Sequence, residues 1–143
     1  MSASFFRKPA LAVSTLALAG ATLAGLATAA PAQAATPSQA TAAACQVPGH
    51  GGSYICEYGI AWQTFPNGGK QVFVVGTDFS VWTRYGFEGG DWSNWESMGG
   101  VARSGVRIDG NGTWNPTISV VGSDGVRWYR HRLDTGSWTG WSK

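Results

Sequence analysis

After residue 58 the chain consists of short runs in which apolar and polar residues alternate, separated by glycine, asparagine and aspartate. Val72–Gly76 and Ile118–Gly122 are β-branched runs that end in glycine, and a turn containing aspartate follows each of them. A period of two residues predicts strands, and this region sustains no 3.6-residue helical period. The pattern therefore predicts an all-β protein. The eight predicted strands are Gly59–Gln63, Val72–Gly76, Ser80–Tyr85, Trp92–Trp95, Arg103–Asp109, Ile118–Gly122, Val126–Arg132 and Trp138–Trp141.

The second half of this region repeats the first half at a constant offset of 46 residues, without a gap. Residues 71–97 and 117–143 are identical at nine of 27 positions, and three of those nine residues are tryptophan. A period of about 40–50 residues with four short strands is typical of a β-propeller blade. We therefore predict two propeller-blade-like repeats over residues 59–143. A small β-sandwich is the alternative architecture, although a sandwich has no reason to repeat its loops.

The order of the predicted strands indicates that copies of the chain assemble. If the strands of one blade are labelled a to d, the region begins at Gly59 with strand d and ends at Trp141 with strand c. Two blades do not close a ring, since β-propellers have about four to eight. We therefore predict a homo-oligomer in which Gly59–Gln63 completes a blade of the neighbouring chain. The alternative is a compact monomer in which the two units pack as a sandwich.

Residues 1–34 have the composition of a secretory signal peptide. Arg7 and Lys8 precede an uncharged run rich in alanine and leucine over Leu11–Ala30, and residues 32–34 (Ala-Gln-Ala) form a small-residue cleavage pattern. A transmembrane anchor is the alternative, but the run contains glycine and no basic stop-transfer residues follow it. We therefore predict that the protein is exported and that no membrane span is left after cleavage.

The segment 35–58 contains Cys45 and Cys56, the only cysteines of the chain. Because the outside of the cell is oxidising, we predict a Cys45–Cys56 disulfide. A reactive or metal-binding thiol is the alternative, but no nearby histidine or second cysteine pair completes such a site. The segment is otherwise predicted to be flexible, since Ala35–Ala44 contains no core-forming side chain.

Charge and aromatic content narrow the classes of function. The 10 basic residues exceed the 8 acidic residues only because of Arg7 and Lys8, which the predicted cleavage removes. A neutral mature chain does not have the basic excess of a general nucleic-acid-binding protein, so we expect no nucleic-acid partner. All eight tryptophans lie in the mature chain, which indicates that aromatic surfaces are important for packing or binding.

Two motifs of the repeat point to a known family. Val-Val-Gly-[Thr/Ser]-Asp-x-x-x-Trp-x-Arg occurs at residues 74–84 and 120–130, and Trp-[Ser/Thr]-x-Trp occurs at residues 92–95 and 138–141. These motifs resemble the repeats of bacterial and fungal propeller lectins of the tectonin and fucose-binding type. The resemblance covers Gly59–Lys143 and implies a propeller-like fold that binds sugars.

The repeated aromatic and basic residues are the candidate sugar-binding groups. Trp82 and Arg84 lie two residues apart on a predicted strand and therefore share a face. Trp128 and Arg130 repeat this arrangement. Sugar faces stack on aromatic rings, and sugar hydroxyls form hydrogen bonds with arginine and indole N–H groups. The alternative is that the tryptophans pack between blades with the arginines over them. The predicted carbohydrate-binding residues are Trp82, Arg84, Trp95, Trp114, Trp128, Arg130 and Trp141.

The sequence contains no recognisable set of catalytic residues beside the predicted carbohydrate-binding residues. The sequence contains no Gly-x-Ser-x-Gly, His-Glu-x-x-His or phosphate-loop motif, and spacing identifies no catalytic partner for His50 or His131. Glu88 and Glu96 are a conceivable carboxylate pair for glycoside hydrolysis, but turn carboxylates are mostly solvated. We expect a secreted, non-enzymatic protein that binds glycans without a metal or cofactor. The alternative is a structural or protein-interaction module of the cell envelope, or an inhibitor, that does not bind sugar.

Overall fold

The structure is a computed structural model that describes residues 42–143. The described part is all-β, as the sequence predicts, and its helical content is one short 3-10 turn at Cys56–Tyr58. The predicted signal peptide over residues 1–34 lies outside the described residues. The nine strands are β1 (Ala44–Gln46), β2 (Ser53–Ile55), β3 (Ile60–Thr64), β4 (Lys70–Val75), β5 (Val81–Gly86), β6 (Glu96–Gly99), β7 (Arg107–Asp109), β8 (Thr117–Val121) and β9 (Arg127–His131).

The strands form three antiparallel sheets in which neighbours follow the chain order. A hairpin consists of β1 and β2, the first sheet of β3 to β6, and the second sheet of β7 to β9. The chain after β9 returns along that strand through isolated bridges, Arg132 with Trp138 and Tyr129 with Ser142. Trp138 and Ser142 therefore pair with β9 as Trp92 and Glu96 pair with β5 in the first sheet.

The predicted assignment of Gly59–Gln63 to a blade of another chain is wrong. This segment is β3, and it pairs along its whole length with β4 of the same chain. A short turn makes the pairing possible, since the Phe65 amide donates a hydrogen bond of 2.7 Å to the Gly69 carbonyl. Each repeat is a complete meander that begins with this strand, so the strand order no longer requires a second copy of the chain.

The two predicted strands of the Trp-x-x-Trp motif also differ from the structure. In the first repeat the fourth strand is β6, Glu96–Gly99, which follows the motif, and Trp92 forms an isolated bridge with Gly86. The Ser93 amide donates to the Tyr85 carbonyl at 2.8 Å. The motif residues are therefore held beside the sheet rather than in it, and their indoles reach neighbouring parts of the fold.

The hairpin, the first sheet and the second sheet are stacked, and the first sheet is the middle layer. Side chains of β4 alternate between its two faces. Val72 and Val74 pack with Val47 on the side of the hairpin. Phe73 and Val75 are buried against residues of β8 on the side of the second sheet. The main core is formed by Ile55, Phe73, Val75, Val81, Met98, Ala102, Ile118 and Val120.

The predicted Cys45–Cys56 disulfide is present and closes the hairpin, with 5.1 Å between the two Cα atoms. Val47 and Ile55 are buried on either side of the hairpin turn. Residues 44–58 are therefore part of the folded stack and do not form the flexible segment that the sequence analysis expects.

The outer face of the second sheet is more polar than the equivalent face of the first sheet, although Val121 keeps the position of Val75. Phe73 and Val81 of the first repeat correspond to Ser119 and Arg127 of the second. The Arg127 guanidinium donates a hydrogen bond of 3.1 Å to the Ser119 hydroxyl and lies along this face. A polar outer face is typical of the terminal unit of a repeat stack.

Candidate functional site

The repeated aspartate and tryptophan of each motif form a hydrogen-bonded pair. The indole N–H of Trp82 donates to both carboxylate oxygens of Asp78, at 3.1 and 3.2 Å. Trp128 donates to Asp124 in the same way, at 3.1 and 3.3 Å. Because the aspartate lies four residues before the tryptophan, across the tight turn between two strands, the pair fixes the orientation of the indole against that turn.

The predicted sugar-binding residues Arg84 and Trp95 converge on the backbone of the hairpin. The Arg84 guanidinium donates a hydrogen bond of 2.5 Å to the carbonyl oxygen of His50, and the Trp95 indole donates to the same oxygen at 3.3 Å. The guanidinium carbon lies 5.8 Å from the centroids of the Trp92 and Trp95 rings. This set of contacts, which we call the carbonyl clamp, joins the first sheet to the hairpin.

The second repeat contains the same clamp. Arg130 and Trp141 donate to the carbonyl oxygen of Met98, at 2.7 and 2.9 Å, and the guanidinium carbon is 5.8 Å from the Trp141 centroid. Met98 belongs to β6, so this clamp joins the second sheet to the first. Both arginines, which the sequence analysis assigns to sugar hydroxyls, are thus used in holding one layer to the preceding one.

Two equivalent pockets open beside the clamps, and we call them the first and second Trp pockets. Their cavity volumes are about 350 and 280 Å³. The first Trp pocket is lined by Gly52, Ser53, Val74, Gly76, Thr77, Asp78, Trp82 and Trp95. The second Trp pocket is lined by Gly100, Val101, Val120, Gly122, Ser123, Asp124, Trp128 and Trp141. The repeat therefore reproduces a whole concave site between layers and not only single residues.

Each Trp pocket has two indoles, one carboxylate and glycines that leave room between them. A Cβ atom on Gly76 would lie 2.6 Å from the Asp78 carboxylate, and one on Gly122 would lie 2.9 Å from that of Asp124. The indoles offer apolar faces, while the carboxylate accepts hydrogen bonds. Such a site suits a small ligand that has both an apolar face and hydroxyl groups.

The two pockets differ in charge because Lys143 lies over the second one. Its ammonium group is 3.0 Å from Asp124 and 4.7 Å from the centroid of the Trp128 ring. Lys143, followed by the amide of Val126 and the indole of Trp128, lowers the pKa of Asp124 from its ordinary value of 3.8 to about 2. The corresponding residue of the first repeat is Ser97, so the first Trp pocket has no equivalent cation.

Acid titration is expected to protonate Asp124 only near pH 2. Because its folded-state pKa is depressed, the stabilisation from its contacts is present above pH 3.8 and is lost as the pH falls through about 2. NMR of the Asp124 carboxyl carbon and of the Trp128 indole measures this midpoint. In Lys143→Ala we expect the pKa to move back toward its ordinary value. A wild-type midpoint at the ordinary value would contradict the contact.

Three of the predicted sugar-binding residues line neither Trp pocket: Arg84 and Arg130, which belong to the carbonyl clamps, and Trp114. The Trp114 side chain is 49% exposed and stacks on Phe65, with 5.9 Å between the ring centroids and 18° between the planes. Asp78 and Asp124 line the Trp pockets but are not among the predicted sugar-binding residues. Their signal was available, since both are identical between the repeats and precede the motif tryptophan by four residues.

A larger cavity of about 630 Å³ lies where the first sheet meets the segment after β9. Polar side chains such as Glu96, Arg130 and Arg132 line it. Arg130 is engaged in the carbonyl clamp, and Arg132 donates to the Trp114 carbonyl at 2.7 Å. The repeat does not reproduce this cavity, so it is a weaker candidate than the Trp pockets.

Comparisons with known proteins name no relative. No family model matches the chain, and no curated protein matches it significantly. Within residues 42–143, no helix is long and apolar enough to cross a membrane. The same residues contain no group of three or more side chains that would hold a metal ion. The likeness to propeller lectins stays a prediction from the two motifs.

Proposed function

We propose that the mature chain is a secreted glycan-binding protein that holds a sugar in each Trp pocket. The observation that carries this proposal is the duplication of the pocket, since six of its eight lining positions recur at the 46-residue offset and the other two, Gly52 and Ser53, are replaced by Gly100 and Val101. Repetition of the fold explains the duplicated strands and core residues. It does not by itself explain an open cavity beside each carbonyl clamp. Two like sites are what a multivalent binder uses.

The chemistry of the walls supports a sugar ligand. One face of a pyranose ring stacks on an indole, and its hydroxyls donate to a carboxylate such as that of Asp78 or Asp124. Both aspartates already accept an indole N–H, so their orientation is set before a ligand arrives. The volumes of about 350 and 280 Å³ lie at and just below the lower limit of about 300–1,000 Å³ for ligand sites, which favours a monosaccharide or a chain end.

Secretion and assembly belong to the same proposal. The predicted signal peptide and the Cys45–Cys56 disulfide support an oxidising, extracellular location. Both Trp pockets are complete within one chain, so binding does not depend on assembly. Homo-oligomerisation stays a prediction that would raise the number of sites per particle, and sedimentation of the mature protein measures it.

Blocking each Trp pocket is expected to remove one sugar site per chain. Thr77 and Ser123 are exposed, equivalent turn residues at the two pockets. A glycan array first identifies the sugar, and calorimetry then gives the stoichiometry. For the Trp pockets we expect two monosaccharide sites in the wild type, one in Thr77→Trp or Ser123→Trp, and none in the double variant. Glu57→Trp is the matched control, because Glu57 is exposed and lines neither pocket.

The array and the blocking variants separate this function from its alternative. No binding to any glycan at high protein concentration would overturn the proposal, and unchanged stoichiometry in the double variant would show that the site is elsewhere. The alternative, a protein-interaction module or inhibitor, has one supporting observation. Tyr85, Phe87 and Trp114 line a common shallow groove and are 58%, 51% and 49% exposed.

A further inference from the structure

A third aromatic cavity of about 510 Å³ lies between the hairpin turn and the beginning of β4. Its aromatic wall consists of His50, Trp62 and Trp92. The His50 and Trp92 rings are 4.2 Å apart between centroids, and the Trp62 and Trp92 rings are 6.1 Å apart with an interplanar angle of 83°. Neighbouring rings pack edge to face, so the wall is held rigid without a ligand.

Trp62 is the ring of this wall that is open to solvent. It lies on β3, and its side chain is 38% exposed although it touches the two other rings of the wall. The counterpart of Trp62 in the second repeat is Ile108, so the cavity is not a product of the duplication. An exposed indole held by its neighbours is a preorganised stacking platform, because little side-chain freedom is lost on binding.

A charged pair completes the rim of the cavity. The Lys70 ammonium and a carboxylate oxygen of Glu88 are 2.6 Å apart, and both residues line the cavity. Lys70 also holds the pKa of Glu88 below its ordinary value, which keeps the carboxylate ionised. The Lys70 ammonium donates hydrogen bonds and the Glu88 carboxylate accepts them. A sugar hydroxyl both donates and accepts, so these two groups suit it as partners.

The charges around the cavity favour a neutral ligand. Lys70 and Glu88 form an ion pair without net charge at the rim. A cation is repelled by Lys70 and an anion by Glu88, and neither gains from the pair as a whole. A neutral sugar avoids both repulsions, stacks on the indole and exchanges hydrogen bonds with the two charged groups.

We propose that this cavity is a third sugar-binding site, which stacks a neutral pyranose on Trp62 and binds its hydroxyls through Lys70 and Glu88. The inference rests on the proposed glycan-binding function but concerns a different surface. Lys70 lines this cavity and Gly76 lines the first Trp pocket, so the two sites open near opposite ends of β4, while the Arg84 guanidinium lies between Trp92 of one site and Trp95 of the other. Its larger volume suits an oligosaccharide of two or more rings.

NMR of the tryptophan indoles tests this site separately from the Trp pockets. The nitrogen-labelled mature protein is titrated with N-acetylchitotriose and with cellotriose, two neutral oligosaccharides with flat apolar faces. We expect the Trp62 and Trp92 indole signals to shift. In Trp62→Ala we expect binding at this site to become roughly tenfold weaker, while the Trp pockets keep their affinity. Trp114→Ala is the matched control, since Trp114 is exposed but lines a different groove.

Glu88→Gln provides a second variant in case Trp62→Ala is poorly folded. The Glu88 side chain is 82% exposed, so its replacement disturbs the rim and not the core. Shifts confined to the indoles of the Trp pockets would overturn the third site and leave the proposed function intact. Shifts confined to Trp62 and Trp92 would support the third site and count against the Trp pockets. No shift with either sugar at high concentration would overturn the third site, whatever the array shows for the Trp pockets.

Discussion

Replacing Phe73 by alanine is expected to lower the free energy of unfolding by about 3–5 kcal/mol. Phe73 is completely buried in the middle layer and packs edge to face on Trp138, with 5.6 Å between the ring centroids. The removed ring leaves a cavity between the two sheets, where Val75 and Ile118 are anchored by their strands. Small domains are marginally stable, so this loss is a large part of the total.

Urea unfolding followed by tryptophan fluorescence measures the effect of Phe73→Ala. Phe87→Ala is the matched control, because it removes the same ring from a position that is 51% exposed. We expect the control to change the free energy of unfolding by less than about 1 kcal/mol. Equal losses in the two variants would mean that the sheets are not packed through Phe73.

Replacing both Cys45 and Cys56 by serine is expected to lower the free energy of unfolding by about 3 kcal/mol. The disulfide joins residues 11 positions apart, and its loss frees that loop in the unfolded chain. The hairpin also carries the His50 carbonyl that Arg84 and Trp95 hold. A loosened hairpin should therefore weaken ligand binding in the first Trp pocket.

The second Trp pocket is the internal control for this double variant. It is built on the Met98 carbonyl and has no contact with the hairpin among its lining residues. Thermal unfolding gives the change in stability, and calorimetry at a temperature where the variant is folded gives the affinity of each site. A variant that loses both sites equally, while still folded, would show that the hairpin does not support the first pocket specifically.

The hydrophobic pattern predicts the strands better than it predicts their partners. β4, β5, β8 and β9 lie within two residues of the predicted segments, because alternation and bounding glycines are local signals. The pairing of β3 depends instead on the five-residue turn that begins at Phe65, whose hydrogen bond to Gly69 no periodicity reveals. A strand pattern alone does not say which neighbour a strand takes.

The tryptophan and arginine positions show a second limit of what can be predicted from the sequence. Trp82 and Arg84 lie on the same side of β5, toward the hairpin, as their spacing requires. Arg84 faces the carbonyl of His50, which lies 34 residues earlier in the chain. Only the folding of the chain brings the two groups together. Trp95 lies in the predicted strand Trp92–Trp95, yet in the structure it precedes β6 and its indole donates to that same carbonyl.

The carbonyl clamps have a consequence for how such a protein diverges. Each clamp recognises a main-chain oxygen, and the residues that supply it, His50 and Met98, have nothing in common as side chains. Each clamp does require a nearby glycine. A Cβ atom on Gly52 would lie 2.7 Å from the indole nitrogen of Trp95, and one on Gly100 would lie 3.2 Å from that of Trp141. The side chains at the two carbonyl positions are therefore free to vary, whereas the backbone path and the glycine two residues later are not.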